Sequence, residues 1–197
     1  MEKIFNQLIN SFIKDKVGIA ENFISPALSI QLVNNLLHLQ DKDQLLLAGT
    51  GNKVIVAYNE TLRSDKIHWL DRLHNDPYEN DFLDLMDTFV AYLNSTCYTG
   101  ITGYEFHYTL YEKGAFYKKH IDQFRNNNLR QYSMIMYLNE YWTENDGGEL
   151  CIHHLNHVQH ITPSAGKSVF FKSSELAHEV LLTHKPRMSI TGWLKTG

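Results

Sequence analysis

Residues 111–122 read YEKGAFYKKHID, and the fold prediction depends on this stretch. Glu112-Lys113-Gly114 is typical of a turn, and the aromatic residues that follow are typical of a β-strand. Because side chains at positions i and i+2 of a strand lie on one face, His120 and Asp122 can point in the same direction. The stretch therefore predicts a strand over residues 114–122 that presents an imidazole and a carboxylate together.

Two later residues complete a recognisable set of ligand types. His178 lies in AHEV (177–180), and Arg187 follows nine positions later in PRMSITGW (186–193). Two imidazoles and one carboxylate form the facial triad that binds non-haem Fe(II) and leaves coordination positions open. The fixed fork of guanidinium donors suits the carboxylate of a bound ligand. We therefore predict a metal centre formed by His120, Asp122 and His178, with Arg187 as an anion-binding residue close to it.

The pattern of apolar residues changes from helical to strand-like near residue 100. Residues 1–16 have amphipathic helical spacing, Ser25-Pro26 opens a helix over about 26–39, and Asp76-Pro77 opens another. From Tyr104 onward, short runs rich in aromatic and β-branched residues alternate with turns. We predict one mainly β domain, residues 1–197, with a double-stranded β-helix (jelly-roll) core over 99–197 and a helical support over 1–98.

The composition and charge of the chain argue against some classes of partner. The chain has 197 residues, 43% of them hydrophobic, with a net charge of -4 and a pI of about 6.2. An acidic protein lacks the basic surface that binds nucleic acid, so we expect no nucleic-acid partner. The N-terminus has neither a signal-peptide core nor a membrane span, which predicts a cytoplasmic protein without a membrane partner. Cys97 and Cys151 are expected to be free thiols.

The chain resembles the Fe(II)- and 2-oxoglutarate-dependent dioxygenases, and among them the prolyl 4-hydroxylases of the hypoxia-factor-regulating kind and their bacterial relatives. The matching stretches occur in the order found in that family and cover about the last two thirds of the chain. They are RSDKIHW (63–69), YEKGAFYKKHID (111–122), YLNEYW (137–142), DGGELCI (146–152), AHEV (177–180) and RMSITGW (187–193).

This resemblance implies Fe(II) as cofactor, 2-oxoglutarate as cosubstrate, and ascorbate as a possible reductant. Arg187 and Tyr137 match the residues that hold the 5-carboxylate of 2-oxoglutarate, and Ser189 would add a hydroxyl group beside them. Tyr111 resembles the tyrosine that lines the cosubstrate pocket, although its spacing to His120 is one residue shorter than in the hypoxia-type enzymes. Leu150 is expected in the apolar wall of the pocket.

The resemblance also implies a substrate-binding region. Arg63, Asp65 and Trp69 match a flexible segment that closes over the polypeptide substrate, and Trp193 matches a tryptophan beside the pocket. The structural alternative for residues 63–69 is a surface loop with one buried tryptophan. The alternative for Trp193 is an aromatic core residue.

The implied reaction is prolyl 4-hydroxylation of a protein containing proline, with O2 consumed and succinate and CO2 released. Hydroxylation of a free amino acid or another small metabolite is the alternative, because members of the superfamily differ mainly in their loops. A non-catalytic metal-binding module is a remote third possibility. Asp122 argues against a halogenase, in which a small residue stands at that position. Trp193 argues against nucleic-acid demethylation, for which the family has a second arginine there.

Two further features are assigned structural roles. His153, His154, His157 and His160 lie in a strand-and-turn region without the spacing of a known metal site, so we expect them not to converge. Gly147-Gly148 is expected to serve a hairpin turn.

Overall fold

The structure is a computed structural model that describes residues 1–52, 55–57, 61–123 and 128–197. Within these ranges the helices are α1 Glu2–Asp15, α2 Pro26–Asp41 and α3 Pro77–Cys97, with 3₁₀ turns at Arg72–His74 and Glu144–Asp146. The strands in the same ranges are β1 Val17–Glu21, β2 Leu46–Leu47, β3 Thr50–Asn52, β4 Ile55–Ala57, β5 Lys66–Trp69, β6 Gly103–Tyr111, β7 Tyr117–His120, β8 Arg130–Tyr137, β9 Leu150–His153, β10 Val158–Ile161, β11 Lys167–Lys172, β12 Ala177–Val180 and β13 Arg187–Lys195.

Two antiparallel sheets form the core of the described chain. The major sheet has the strand order β1-β11-β8-β13-β6-β5-β2, and the minor sheet has the order β10-β9-β12-β7. The predicted jelly roll with N-terminal helices is therefore confirmed. The two sheets face each other across an interior that contains the candidate site.

Helices α2 and α3 begin at the capping residues that the sequence predicts. The Ser25 hydroxyl accepts a hydrogen bond from the backbone N–H of Leu28, and the Asp76 carboxylate accepts from Tyr78 and Glu79, so both residues cap helices that begin with proline. No helix among the described residues is long and apolar enough to cross a membrane. Cellular location stays a prediction.

The major sheet is apolar on both faces because each face meets a different partner. In β8, Met134 and Met136 belong to the core formed with the helices, whereas Ile135 and Tyr137 face the interior between the sheets. Alternation along one strand therefore separates a supporting core from the residues that can line a site.

The predicted division near residue 100 is wrong for the strands. β1 pairs with β11, and β5 pairs with β6, so the first half of the chain contributes strands to the major sheet. β1 and β5 are only five and four residues long. Such short runs carry little periodicity, and their partners lie far along the chain, so the local pattern did not reveal them.

The predicted strand over 114–122 is shorter in the structure. β7 ends at His120, and Asp122 lies in the bend just after it. A β-bulge interrupts the pairing with β12, because His178 lies opposite His120 while Val180 lies opposite Tyr117. Two steps along β12 thus correspond to three along β7, which places Tyr117 and His120 on the same side of the strand.

Candidate metal and cosubstrate site

The predicted ligands converge between the two sheets. His120 Nε2 lies 3.4 Å from Asp122 Oδ1, and His178 Nε2 lies 3.5 Å from Asp122 Oδ2. In the described part of the chain, these residues are the one group whose potential ligand atoms all lie within 4.8 Å of one another. The set of two nitrogens and one carboxylate oxygen fits a divalent transition metal bound on one side.

Hydrogen bonds fix the ring orientation of both imidazoles. His120 Nδ1 lies 2.8 Å from the carbonyl oxygen of Lys118, and His178 Nδ1 lies 3.1 Å from that of Leu176. A carbonyl oxygen can only accept, so each Nδ1 carries the proton and each Nε2 offers a lone pair to the metal. Burial also lowers the pKa of His178 to about 4, which keeps this ligand neutral.

Asp122 is held in its ionised form. Burial alone would raise its pKa, but His178, His120 and a hydrogen bond from the Ser133 hydroxyl outweigh that effect and place the pKa well below its usual range. Ser133 Oγ donates to Asp122 Oδ2 at 2.6 Å, and it also lies 2.9 Å from Ser173 Oγ. The two serines therefore orient the carboxylate from behind, as partners of metal ligands usually do.

A second group of polar atoms lies deep in the same interior. Arg187 is 1% exposed, and its Nε donates to the carbonyl oxygen of Gly148 at 2.8 Å. Among the described residues, Arg187 Nη2 and Tyr137 Oη are buried without a hydrogen-bond partner. Since buried donors are normally satisfied, these two atoms indicate a place for an anionic ligand.

The surrounding side chains suit a carboxylate. Burial raises the pKa of Tyr137 to about 12 despite the nearby Arg187, so its phenol stays protonated and can donate. The guanidinium carbon of Arg187 lies 4.9 Å from the ring centre of Tyr111 and 5.1 Å from that of Tyr137. Ser189 is fully buried and lies opposite Tyr137 in the sheet, with its hydroxyl 3.3 Å from Thr191 Oγ1. The arrangement fits a bound 2-oxoglutarate whose far carboxylate meets Arg187 and Tyr137.

A cavity of about 870 Å³ joins the metal ligands to Arg187 and opens at the surface. Leu150, Ile135 and Tyr111 are among the residues that line it. Trp193 and Trp69 line its outer part, and Trp69 is 44% exposed. The volume lies in the range of small-molecule sites.

Comparisons with known proteins agree with this geometry. Residues 106–195 match the family model of the 2OG-Fe(II) oxygenase superfamily. A prolyl-4-hydroxylase of Pseudomonas putida is 29% identical, with a TM-score of 0.88 over 98% of this chain and 99% of that chain. The matched residues and the shared fold support a 2OG-Fe(II) oxygenase of the prolyl-hydroxylase type. The chain is a dioxygenase of this type, and its cofactors are Fe(II) and 2-oxoglutarate.

Two more distant structures share the fold of this oxygenase. A prolyl hydroxylase of Trichoplax adhaerens, in complex with a peptide fragment of the hypoxia inducible factor oxygen degradation domain, is 24% identical. Its TM-score is 0.87 over 98% of this chain and 90% of that chain. A viral collagen prolyl hydroxylase of Paramecium Bursaria Chlorella virus-1, in a 2OG complex, is 18% identical, with a TM-score of 0.63 over 93% and 97%.

Residues 63–69 were predicted to form a loop, and the structure shows that this prediction is wrong for most of them. Lys66–Trp69 is strand β5 inside the major sheet, next to β6. Asp65 is fully buried and forms a bidentate ion pair with Arg63, whose side chain is 12% exposed. Trp69 is neither in a loop nor buried. Part of the predicted segment therefore belongs to the framework of the oxygenase, while the partly exposed Trp69 lines the cavity.

Each of the four neighbouring histidines contacts a partner close to it in the sheet or turn, and the group whose ligand atoms converge in the described structure is the one formed by His120, Asp122 and His178. His153 lies 2.9 Å from a carboxylate oxygen of Glu179, and His160 lies 2.9 Å from one of Glu149. His154 and His157 stack on each other, with ring centres 4.4 Å apart. Hydrogen bonds and packing thus account for all four imidazoles. Cys97 and Cys151 are free, as predicted.

Gly147-Gly148 does not form the predicted hairpin turn. Gly147 ends a 3₁₀ turn, and Gly148 lies against Arg187. A side-chain carbon on Gly148 would lie 3.0 Å from Arg187 Cδ and 3.0 Å from Thr183 Oγ1. The close approach explains why a residue without a side chain stands there.

Several site residues were missed by sequence reasoning. Ser133 supports Asp122, Tyr117 stacks on His120, and His107 lies on the cavity wall between Trp69 and Trp193. Ser133 and His107 belong to strands whose alternation alone marks them as inward-facing residues. Tyr117 lies three positions before His120, so the bulge had to be known before the two could be placed on one side.

Proposed function

We propose that this oxygenase hydroxylates proline in a protein substrate, consuming 2-oxoglutarate and O2 and releasing succinate and CO2. The observation that carries the proposal is the match to the Pseudomonas putida prolyl-4-hydroxylase over almost the whole of both chains. Because the match covers 98% of this chain, it extends beyond the metal-bearing strands to the outer parts of the fold. Those outer parts are where members of one fold usually differ in substrate.

We assign the roles within the site from their chemistry. His120, Asp122 and His178 would bind Fe(II), and Arg187 with Tyr137 would hold the 5-carboxylate of 2-oxoglutarate through charge-assisted hydrogen bonds. Ser189 would contribute a hydroxyl beside them, and Tyr111 would form the wall. These assignments rest on the converging ligand atoms and on the two unsatisfied donors.

When Fe(II) and 2-oxoglutarate are bound, they supply the oxidative decarboxylation that allows one atom of O2 to enter a C–H bond. The protein contributes position and exclusion of water. Neutral His120 and His178 together with ionised Asp122 leave a net positive charge at the metal, which favours an anionic cosubstrate. Leu150 and Ile135 keep the inner cavity apolar.

The mouth of the cavity suits a polypeptide. Five apolar side chains that line it are more than a third exposed, namely Leu46, Leu47, Trp69, Ile121 and Leu129. An exposed apolar rim around a deep site is typical of a surface that binds another protein. A chain lying across this rim could present one proline to the metal. Trp69 and Trp193 would contact it there.

Mass spectrometry tests the proposed reaction. Purified enzyme, Fe(II), 2-oxoglutarate and a cell protein extract should yield proteins with a one-oxygen gain on proline. The matched control is the double variant His120→Ala/Asp122→Ala, which should bind no Mn(II) and produce no gain. If the wild type leaves the protein pool unmodified but hydroxylates a free amino acid or another metabolite, the protein-prolyl function is wrong and the small-molecule alternative stands.

Trp69→Ala separates substrate binding from cosubstrate binding. Because Trp69 is partly exposed at the mouth, its loss should sharply lower protein hydroxylation while leaving Mn(II) and 2-oxoglutarate affinity unchanged. Circular dichroism verifies that the variant is folded. A folded variant that hydroxylates every protein substrate at the wild-type rate would remove Trp69 from the substrate site.

A further inference from the structure

The ring of Tyr117 stacks on the metal-site imidazole of His120. Their ring centres are 3.5 Å apart, and their planes are inclined by only 12°. The guanidinium carbon of Arg63 lies 4.2 Å from the centre of the same tyrosine ring. Since the imidazole occupies one face of Tyr117, the guanidinium must lie on the other. Arg63, Tyr117 and His120 thus form a three-layer stack.

The outer layer of this stack is fixed by Asp65. Arg63 Nε donates to Asp65 Oδ1 at 2.8 Å, and Arg63 Nη2 donates to Asp65 Oδ2 at 2.5 Å. Burial lowers the pKa of Arg63, but the Asp65 carboxylate more than compensates, so the guanidinium stays charged. A charged, planar group that is held along one edge by two hydrogen bonds can pack on an aromatic face without rotating away.

The backbone holds the same residues in place. Lys118 donates its N–H to the carbonyl oxygen of Leu62 at 2.9 Å, and Ser64 donates its N–H to that of Phe116 at 3.1 Å. Arg63 and Tyr117 lie opposite each other in an antiparallel bridge. Residues 62–64 therefore pair with β7, the strand that ends at His120, and connect it to β5 of the major sheet.

We infer that Tyr117, held by the Arg63–Asp65 ion pair, is a positioning residue that fixes the ring plane of His120 for metal binding. One hydrogen bond from Nδ1 to Lys118 leaves the imidazole free to tilt about that bond. Stacking at 3.5 Å removes this freedom and keeps Nε2 directed toward Asp122 and His178. Arg63 and Asp65 then act on the metal site rather than on the substrate. The inference rests on the triad being the iron site.

Titration of apoprotein with Mn(II) tests this role without turnover. Tyr117→Leu removes the aromatic face, and its affinity for Mn(II) should fall on the order of 10- to 100-fold, the usual effect of losing a partner of a metal ligand. Tyr117→Phe keeps the ring and should stay within about threefold of the wild type. The visible spectrum of bound Co(II) should change in Tyr117→Leu and not in Tyr117→Phe. Wild-type affinity and an unchanged Co(II) spectrum in folded Tyr117→Leu would overturn the inference.

Two further variants separate positioning from stability. Tyr92→Leu removes a tyrosine that packs on Phe5 of α1 and should leave Mn(II) affinity unchanged. The double variant Arg63→Met/Asp65→Leu replaces a buried ion pair by apolar side chains, which proteins often tolerate, and should weaken Mn(II) binding about tenfold. If Tyr117→Leu does not fold, the double variant becomes the test of the inference. An affinity for Mn(II) equal to that of the wild type in the double variant would then contradict it. Failure of the wild type itself to bind Mn(II) would contradict the iron site and the inference together.

Discussion

Arg187 is the residue on which cosubstrate binding should depend most. Its side chain is buried, one nitrogen is fixed by Gly148, and another has no partner among the described residues. Arg187→Ala removes the charged partner of a buried carboxylate and should weaken 2-oxoglutarate binding by about 3 to 5 kcal/mol. Isothermal titration with Mn(II)-loaded protein measures the loss, and Mn(II) affinity should be retained.

Tyr137→Phe is the milder counterpart of that change. It removes one hydroxyl donor while keeping the ring, so the loss of 2-oxoglutarate affinity should be about 1.5 to 3 kcal/mol. Unchanged affinity in both variants would show that the cosubstrate lies elsewhere in the cavity.

His107 should make stability depend on pH. Burial, assisted by Arg63 and Arg130, lowers its pKa to about 4, against 6.5 for the exposed group. The unfolded chain therefore binds a proton below pH 6.5 that the folded chain does not bind until about pH 4. Stability contributed by neutral His107 is present at pH 7 and should be lost, by on the order of 3 kcal/mol, as pH falls from 6.5 to 4.

Chemical denaturation of wild type and His107→Phe measures this contribution. Phenylalanine fills a similar volume between Trp69 and Trp193 and does not titrate, so the variant should lose less stability toward pH 4. His178 titrates in both proteins and cancels in the difference. Parallel stability curves for the two proteins would show that His107 is not buried in its neutral form.

At the scale of elements, the loop before β9 determines where Arg187 lies. Gly148 and Gly100 have φ values of +65° and +66°, and alanine at either position should cost about 1 to 2 kcal/mol from backbone strain. A side chain at Gly148 would also press on Arg187, whereas nothing described lies within 4 Å of one at Gly100. Gly148→Ala should therefore lower both stability and 2-oxoglutarate affinity. Gly100→Ala should lower stability alone.

Thermal unfolding and cosubstrate titration of the two glycine variants separate the effects. Equal 2-oxoglutarate affinity in both would show that the loop does not position Arg187.

At the scale of the whole molecule, metal chemistry should be confined to the interior between the sheets. Replacing His153, His154, His157 and His160 together by glutamine should leave Mn(II) affinity and turnover nearly intact. The partly exposed pairs with Glu149 and Glu179 contribute at most about 1 kcal/mol each to stability. Loss of Mn(II) in this variant would assign these imidazoles a role in metal binding.

The sequence by itself determined the features that depend on neighbouring residues. Ser25 and Asp76 start helices where capping predicts them, and the aromatic and β-branched runs from Tyr104 onward form strands of the core. The residue types at 120, 122, 178 and 187 indicate the metal chemistry because few sites require that combination.

Only the tertiary structure decided features that depend on strand register. A bulge in β7 brings Tyr117 beside His120, an antiparallel bridge brings Arg63 opposite Tyr117, and the packing of the two sheets brings Ser133 within hydrogen-bond distance of Asp122. Pairing with β6 makes part of the predicted loop strand β5, and pairing with β11 adds β1 to the major sheet. Local sequence specifies which face a side chain takes along a strand. It does not specify which residue of a strand far along the chain lies opposite, because packing and hydrogen bonding of the whole core set that register.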